Sequence, residues 1–360
     1  VQYFREDDNR MRIQKQMCQR DPTGIMGCLA GPREYGITNA NSTLGTIFAS
    51  QEFFRIRGLP AGQTALTPNV SLGSLYAADA YAGVVNPADP RVVDTDFRPT
   101  YFAKELIAQA SIDQELGDSF NLKISGNYQE VTVDSQQDYN LSVQNRSQMA
   151  GGLANLQAAA AGTFGAGLQS YLRPIANALI PNGATGQLCT SLSEPSGTGI
   201  YGGNAIRANS PLDFDRSVQT QSSWSTEAIF SSKFDGPFNF LLGGIYGKFH
   251  MDENSYYVNA FGLDYASGVL GAFTALGAGA APTATTSYNL ATPFYRNNSD
   301  DLKMRTYGIF GEAYYKLTDT LKLTAGIRYN SDKKNIAART TLFSFLAPTG
   351  GSDPFAAPGA

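Results

Sequence analysis

Between Tyr307 and Asn330 the chain alternates. Leu321, Leu323, Ala325, Ile327 and Tyr329 fall on one side of an extended backbone, and Lys322, Thr324, Gly326 and Arg328 fall on the other. A period of two with one apolar side predicts a strand with one face out of water. Leu317-Thr318-Asp319 supplies the turn before it, and the stretch from Tyr307 supplies the partner strand. The design recurs in residues 105–128. There Leu106, Ala108, Ala110 and Ile112 oppose Glu105, Gln109, Ser111 and Asp113, with Ile107 out of pattern. After Gly117-Asp118, Phe120, Leu122, Ile124 and Tyr128 alternate with Asn121, Lys123, Ser125 and Asn127. It recurs again in residues 222–249, where Trp224, Ala228 and Phe230 alternate with Ser225, Glu227, Ser231 and Lys233. Asp235-Gly236-Pro237 turns that chain into Phe238-Asn239-Phe240. The return strand is apolar on both sides from Leu241 to Ile245, which leaves its register open.

Strands that are apolar and aromatic-ended on one face, polar and charged on the other, suit a membrane barrel wall with lipid outside and water inside. The fold class expected is therefore all-β: a transmembrane antiparallel β-barrel, partial, with several hairpins of a large barrel and long extracellular loops. The hairpins fall at about 101–133, 218–250 and 302–335, and the loops at 1–97, 134–217, 251–301 and 336–360. Short turns on one side and long loops on the other match the asymmetry of outer-membrane barrels, with the turns facing the periplasm. Tyr101, Phe102, Tyr128, Trp224, Tyr246, Tyr256, Tyr257, Tyr307 and Tyr329 gather near the far strand ends, where amphipathic rings favour the headgroup level. The competing reading is that they are ordinary strand residues, since aromatics favour sheets. Within the loops, Gly151 to Pro181 and Val269 to Ala281 are rich in Ala and Gly and are expected to be surface loop with brief helical turns, one near Leu168 to Leu179.

Composition narrows the picture. Charged residues are only 16% and hydrophobic ones 42%, with Gly 37, Tyr 19 and Phe 21. Mean hydropathy is −0.22. That value is compatible with a barrel, in which only every second wall residue meets lipid. No stretch approaches the roughly 20 apolar residues of a membrane helix. A net charge of −4 with dispersed Lys and Arg leaves no basic footprint for nucleic acid. The ends, Val1-Gln2-Tyr3-Phe4 and Pro358-Gly359-Ala360, do not resemble natural termini, and the chain is expected to be an internal fragment.

Catalysis finds little support. The one histidine, His250, has no nucleophile or partner acid at a recognisable spacing, and it reads as a rim residue. No phosphate-binding or nucleophile-elbow motif stands at a strand-to-helix junction. Glu6-Asp7-Asp8, Asp94 with Asp96, Asp252-Glu253 and Asp300-Asp301 match no calcium loop and read as solvated acidic loops. No catalytic, cofactor-binding or metal residue is expected, and no cofactor. Cys18 and Cys28 are close enough to close a small loop; a disulfide there suits an oxidising cell surface, and two free thiols are the alternative. Cys189 is left over. Lys123, Glu227, Lys233, Glu312, Lys322 and Arg328 are expected to face the lumen, because a charge facing lipid is costly. Phe53, Phe54, Tyr76 and Tyr81 are equally suited to be ligand platforms or loop packing.

Two segments carry a family resemblance. Phe234-Asp235-Gly236-Pro237-Phe238-Asn239-Phe240-Leu241-Leu242-Gly243-Gly244-Ile245-Tyr246 is similar to the central barrel hairpin of TonB-dependent outer-membrane receptors. Leu317-Thr318-Asp319 followed by Leu321-Lys322-Leu323-Thr324-Ala325-Gly326-Ile327-Arg328-Tyr329 and Asp332-Lys333 resembles the next one, and its Gly-Ile-Arg-Tyr ending is the more specific signal. The resemblance implies a barrel of about 22 strands around an N-terminal plug. It implies localisation in the outer membrane of a Gram-negative bacterium, contact with outer-membrane lipid, and energy-dependent uptake of a scarce bulky solute such as an iron-siderophore, a cobalamin or an oligosaccharide. The TonB–ExbB–ExbD complex would drive it, through a plug and TonB box that match nothing in these residues. It implies no enzyme. A passive porin, an outer-membrane adhesin or enzyme, and a secreted β-sandwich are the alternatives.

Overall fold

In a computed structural model the described residues are 1–10, 18–20, 28–34, 44–56, 68–74, 92, 95–138, 143, 146–192, 199–277, 279 and 295–342. Among them the strands are, in chain order, β1 (Gln2–Asp8), β2 (Cys18–Arg20), β3 (Cys28–Glu34), β4 (Thr100–Leu116), β5 (Phe120–Asp138), β6 (Leu188–Ser191), β7 (Ala205–Ala208), β8 (Asp213–Ser232), β9 (Phe238–Ala260), β10 (Tyr295–Lys316) and β11 (Lys322–Leu342). Seven form one antiparallel sheet in the order β1-β4-β5-β8-β9-β10-β11, and β2-β3 and β6-β7 are separate two-stranded ribbons. Chain neighbours therefore lie side by side along this meander.

The strands outrun the hairpins that alternation suggests. β8 starts at Asp213, β9 continues to Ala260, β10 starts at Tyr295 and β11 ends at Leu342. Gln2–Asp8, in a stretch expected as loop, adds a strand against the upper half of β4, pairing Gln2 with Ile107 and Asp8 with Tyr101. These extensions lie beyond the lipid-facing part of the wall; on β8 and β9 they are buried against the connections, with Phe214 stacked on Phe97 at 4.5 Å, so no single apolar stripe marks them.

The turns hold their shape locally. Asn239 locks the second: its Oδ1 accepts from the Phe234 N–H (2.8 Å) and the Ser232 hydroxyl (2.8 Å), and its amide donates to the Phe234 carbonyl (3.1 Å). The third closes through Leu317 N–H to the Leu321 carbonyl, 2.9 Å. Near the opposite end, β9 and β10 both bulge, between the Thr220 and Gln221 pairings on β9 and between Ser299 and Asp301 on β10. Bulges at barrel rims re-aim side chains and end a regular ladder.

The register left open by the sequence is settled by β10. Phe310 lies opposite Gly243, and a Cβ on Gly243 would come 2.2 Å from the Phe310 ring. Glycine at 243 thus makes room for an aromatic on the neighbouring strand. Leu241, Gly243 and Ile245 take the polar face, and Phe240, Leu242 and Gly244 take the other.

At the far end three connections fold together. They supply α1 (Leu44–Ala49), α2 (Gln51–Ile56), α3 (Ala150–Ala161), α4 (Ala166–Leu179) and α5 (Phe261–Gly277). α4 is the helix expected near Leu168 to Leu179; it and the others are packed together, in place of the expected surface loop. α4 shows why: Leu168, Tyr171, Leu172, Ile175, Ala176 and Leu179 form one helical stripe, all buried. They pack with Leu153 and Leu156 of α3, Phe54 of α2, and Phe261, Leu263 and Val269 of α5. Each large side chain removed from water contributes about 1.5–3 kcal/mol before entropy is counted. α5 continues directly from β9 and is buried almost all round. It meets α1 so closely that a Cβ on Gly262 would stand 2.4 Å from the Gly45 carbonyl oxygen.

Candidate functional site

The register divides the wall into two chemically opposite faces. On one, the strands carry Ile112 and Ala110; Phe120, Leu122, Ile124 and Tyr128; Trp224, Ala228 and Phe230; Phe240, Leu242 and Tyr246; Tyr307, Ile309, Ala313 and Tyr315; and Leu323, Ala325, Ile327 and Tyr329. No charged residue interrupts that band. Its side chains are large, apolar and bare: Ile327 is 81% exposed, Ile112 65%, Ile309 63% and Leu242 54%. A face this apolar is costly in water and stable in lipid.

Aromatic rings bound the band at both ends. Near the turns Phe120 stacks on Phe230 (5.2 Å) and meets Phe234 edge-on (5.4 Å), beside Phe238 and Phe240. Near the long connections run Tyr128, Trp224, Tyr246, Tyr307 and Tyr329, with Trp224 5.4 Å from Tyr246 and Tyr307 6.2 Å from Tyr329. This second belt drifts toward the turns from β5 to β11, as it must if tilted strands are to keep the rings at one depth. Tyr246 and Phe238 are eight residues apart on β9, about 27 Å of strand before tilt. That matches an apolar band of roughly 25 Å. Trp224 is the only tryptophan of the chain. Its emission in reconstituted protein is expected to be quenched more strongly by lipids brominated near the headgroup than by lipids brominated near the chain ends.

The opposite face is mostly polar and charged, with Ile229, Leu241, Ile245 and Phe310 as apolar positions among its wall residues. Lys123, Glu227, Glu312, Lys322 and Arg328 share it, together with Asp113, Glu115 and Glu105. Lys233 lies beyond β8, in the turn, and its ammonium pairs with Glu115 at 2.6 Å. Arg328 donates to Asn330 Oδ1 (2.9 Å) and lies over the Phe310 ring, and Lys322 lies over Tyr314 at 4.0 Å. Gln109, Ser111, Lys123, Asn127, Ser225 and Glu227 line an open depression on this face. Asn121 Oδ1 and Asn127 Oδ1 on this face are buried without a protein hydrogen-bond partner. Such a face suits water, a polar solute or a polar protein segment.

The cap holds a carboxylate in an apolar setting. Asp264 of α5 is buried, and its two oxygens accept from the Ser191 backbone N–H and hydroxyl, each at 2.7 Å. Ser191 Oγ in turn accepts from the Ile200 N–H at 2.8 Å. Burial pushes the Asp264 carboxyl up to about 7, against the downward pull of the two Ser191 hydrogen bonds. Tyr201 donates to the Asp264 carbonyl (2.6 Å), and Tyr265 donates to the carbonyls of Val70 (2.6 Å) and Gly152 (3.2 Å). Burial also raises the Tyr265 phenol. These bonds tie connections that are up to 195 residues apart in sequence. A single acid inside the apolar run Phe261 to Phe273 is the only sequence signal that could have pointed to Asp264.

The remaining residues singled out by sequence sort simply. Phe54 is fully buried, and Phe53 packs edge-on against Phe48 at 4.9 Å, so both serve the cap core. Tyr76, Tyr81 and Asp94 lie outside the described residues, as do the side chains of Cys18 and Cys28. The backbones of β2 and β3 set Arg20 opposite Cys28 and Cys18 opposite Glu34. Cys189 is a free thiol buried in β6, and burial raises it. His250 sits at the rim between Asp252 (Nδ1, 3.2 Å) and Asp301 (Nε2, 2.9 Å). Among the described residues no group of acids, histidines and cysteines is arranged to hold a metal ion, and no helix is long and apolar enough to cross a membrane.

An apolar face bounded by two aromatic belts, backed by a charged face and short turns, defines the wall of a transmembrane β-barrel of the outer-membrane type. The model of the TonB dependent receptor-like, beta-barrel family matches residues 41–353, and the chain belongs to that family. No curated protein and no solved structure matches it significantly. Members of the family are receptors and transporters of the Gram-negative outer membrane that work with TonB, and they are not enzymes.

Proposed function

We propose that this receptor takes up a scarce, bulky solute, an iron-siderophore, a cobalamin or an oligosaccharide, across the outer membrane of a Gram-negative bacterium. External connections capture the solute and the polar inner face passes it inward, with TonB–ExbB–ExbD supplying the energy. The observation that carries this reading is the cap. Three wall connections share one hydrophobic core around α5. A pore for free diffusion requires no such folded structure at its external end, whereas a receptor needs a rigid surface on which to select a ligand. The inner face, with Lys123, Glu227, Glu312 and Arg328, supports a polar occupant.

The test is growth of a deletion strain on single sources of iron, cobalamin or glycan, followed by titration of the purified full-length protein with the source that fails. A selective growth defect with matching tight binding is the expected result. Growth on every source, with passage of many small solutes through reconstituted protein, would replace the receptor reading with a passive porin. Binding of a macromolecule without uptake would make it an adhesin.

A further inference from the structure

Toward the cap the inner face of β8–β11 loses its charges. Two rows of the register lie there. Ser217, Tyr256, Asn297 and Thr340 are paired across the four strands, and below them Gln219, Asn254, Ser299 and Ala338. Every position but Ala338 carries a hydroxyl or an amide, and all are exposed or half-buried. The row beneath, from Gln221 through Met251 and Leu302 to Ile336, is uncharged as well. On the inner side of these strands the first charge toward the cap is Asp215, whose carboxylate accepts the Tyr256 hydroxyl at 2.7 Å. The first cation in the other direction is Lys334, below Ile336 on β11.

The two rim bulges create this arrangement. Asp252 is the extra residue on β9, and Asp300 is the extra residue on β10. Each shifts the alternation by one. On β9 the shift turns Glu253 outward and brings Asn254 and Tyr256 inward. On β10 it sets Asn297 and Ser299 inward, where unbroken alternation would set Asn298 and Asp300. The outer face near the same height keeps its charges: Arg216 holds Asp134 at 2.7 Å, and Lys303 holds Asp301 at 2.9 Å. A wet surface is ordinarily rich in Lys, Glu, Arg and Asp. Adjacent bulges that clear charge from one side only fit a surface shaped for a ligand, because bulges re-aim side chains beside binding sites.

We infer that these two rows bind a neutral oligosaccharide. The inference rests on the uptake reading proposed above and selects one of its three solute classes. Hydroxyls and amides both donate and accept hydrogen bonds, as sugar hydroxyls do. Asn297 Oδ1 accepts from the Thr340 hydroxyl (3.2 Å), and the Gln219 amide donates to Gln221 Oε1 (2.9 Å), so both amides are held in place. The Tyr256 ring adds an amphipathic surface of the kind a sugar face covers. The rows span about 14 Å across the strands and stand about 7 Å apart, the footprint of a short sugar chain. Covering them desolvates no charge, which would be costly. A solute with net negative charge meets Asp215 and no nearby cation on these strands, and a broad apolar solute finds only Ala338 and one ring.

The test measures binding to purified full-length protein with four kinds of probe: an array of neutral hexose and pentose oligosaccharides, oligogalacturonates as acidic sugars of like size, ferric citrate, and cyanocobalamin. A neutral oligosaccharide is expected to bind about tenfold or more tightly than every other probe. Asn254→Ala combined with Asn297→Ala weakens that binding about 30-fold, through two lost hydrogen bonds. Glu253→Gln, the outward neighbour of Asn254, leaves it unchanged. If the double variant does not fold, Asn297→Ala alone is expected to weaken binding about fivefold. Tightest binding of an acidic sugar, ferric citrate or cyanocobalamin overturns the assignment and leaves the uptake reading standing. Neutral-sugar binding that survives the alanines overturns these rows as its site. Failure of the uptake reading looks different: no probe binds and the reconstituted protein passes small solutes freely, which overturns both.

Discussion

Leu242→Arg is expected to destabilise the inserted barrel by about 2–4 kcal/mol, while Leu241→Arg, one residue away, is expected to be tolerated. Leu242 faces the lipid side near the middle of the apolar band, between Phe238 and Tyr246 on the same strand. An arginine at barrel mid-depth costs about 2–4 kcal/mol. Leu241 points the other way, opposite Glu312 on β10. An arginine there meets a carboxylate on a polar, solvated face, and its effect stays within about 1 kcal/mol. Because side-chain direction in a strand has a period of two, the pair tests the whole assignment of faces at once. The measurement is urea unfolding of the full-length protein folded into lipid vesicles, with Lys123→Leu as a further inner-face control. Equal costs at 241 and 242 would mean that the register around Gly243, and with it the assignment of the lipid side, is wrong.

What the sequence makes legible follows from where solvent changes. Between the aromatic belts each strand meets lipid on one side and polar surroundings on the other, so Leu323, Ala325 and Ile327 alternate with Thr324, Gly326 and Arg328 and can be read directly. Beyond the belts that contrast is gone. β1 carries Tyr3, Arg5 and Asp7 on one side and Phe4, Glu6 and Asp8 on the other, a pattern with no apolar face. Its strand character comes from pairing with β4, which its own residues do not announce. The cap is harder still. Its core joins Phe54, Leu153, Ile175 and Phe273, contributed by three connections far apart in the chain. α4 retains a readable stripe, but α5 is buried on nearly every side and so shows no period of 3.6. A helix of Gly, Ala, Ser and scattered large residues then looks like a loop. The charges on the inner face were legible for the same reason as the wall. Alternation also predicts an inner-face place for Lys233, because the pattern runs on past Ser232, where the structure begins the turn.

The acid buried in the cap makes its stability depend on pH in a direction opposite to that of most carboxylates. An aspartate ordinarily titrates near 3.8, and burial holds Asp264 near 7. Between those values the folded cap keeps a proton that the unfolded chain has released. The contribution of Asp264 is therefore fully present below about pH 4, falls as pH rises, and is lost once pH passes about 7. Three pH units of difference correspond to roughly 4 kcal/mol. Ser191 limits the penalty by giving the carboxylate two hydrogen bonds, and among the described residues no cation pairs with it. Asp264→Asn keeps the shape and removes the titration, so its cap is expected to hold nearly constant stability from pH 4 to pH 8. Asp264→Leu leaves the Ser191 N–H without its acceptor and costs about 1–3 kcal/mol at every pH. Hydrogen exchange of the α4 and α5 amides in the full-length protein reads the cap apart from the wall. Protection that declines from pH 5 to pH 8 after correction for intrinsic rates, and that becomes flat in Asp264→Asn, is the expected outcome. A decline that persists in the asparagine variant would assign the pH dependence to another group. Loss of wall protection in parallel would show that cap and barrel unfold as one unit, and the cap could then not open by itself to admit a solute.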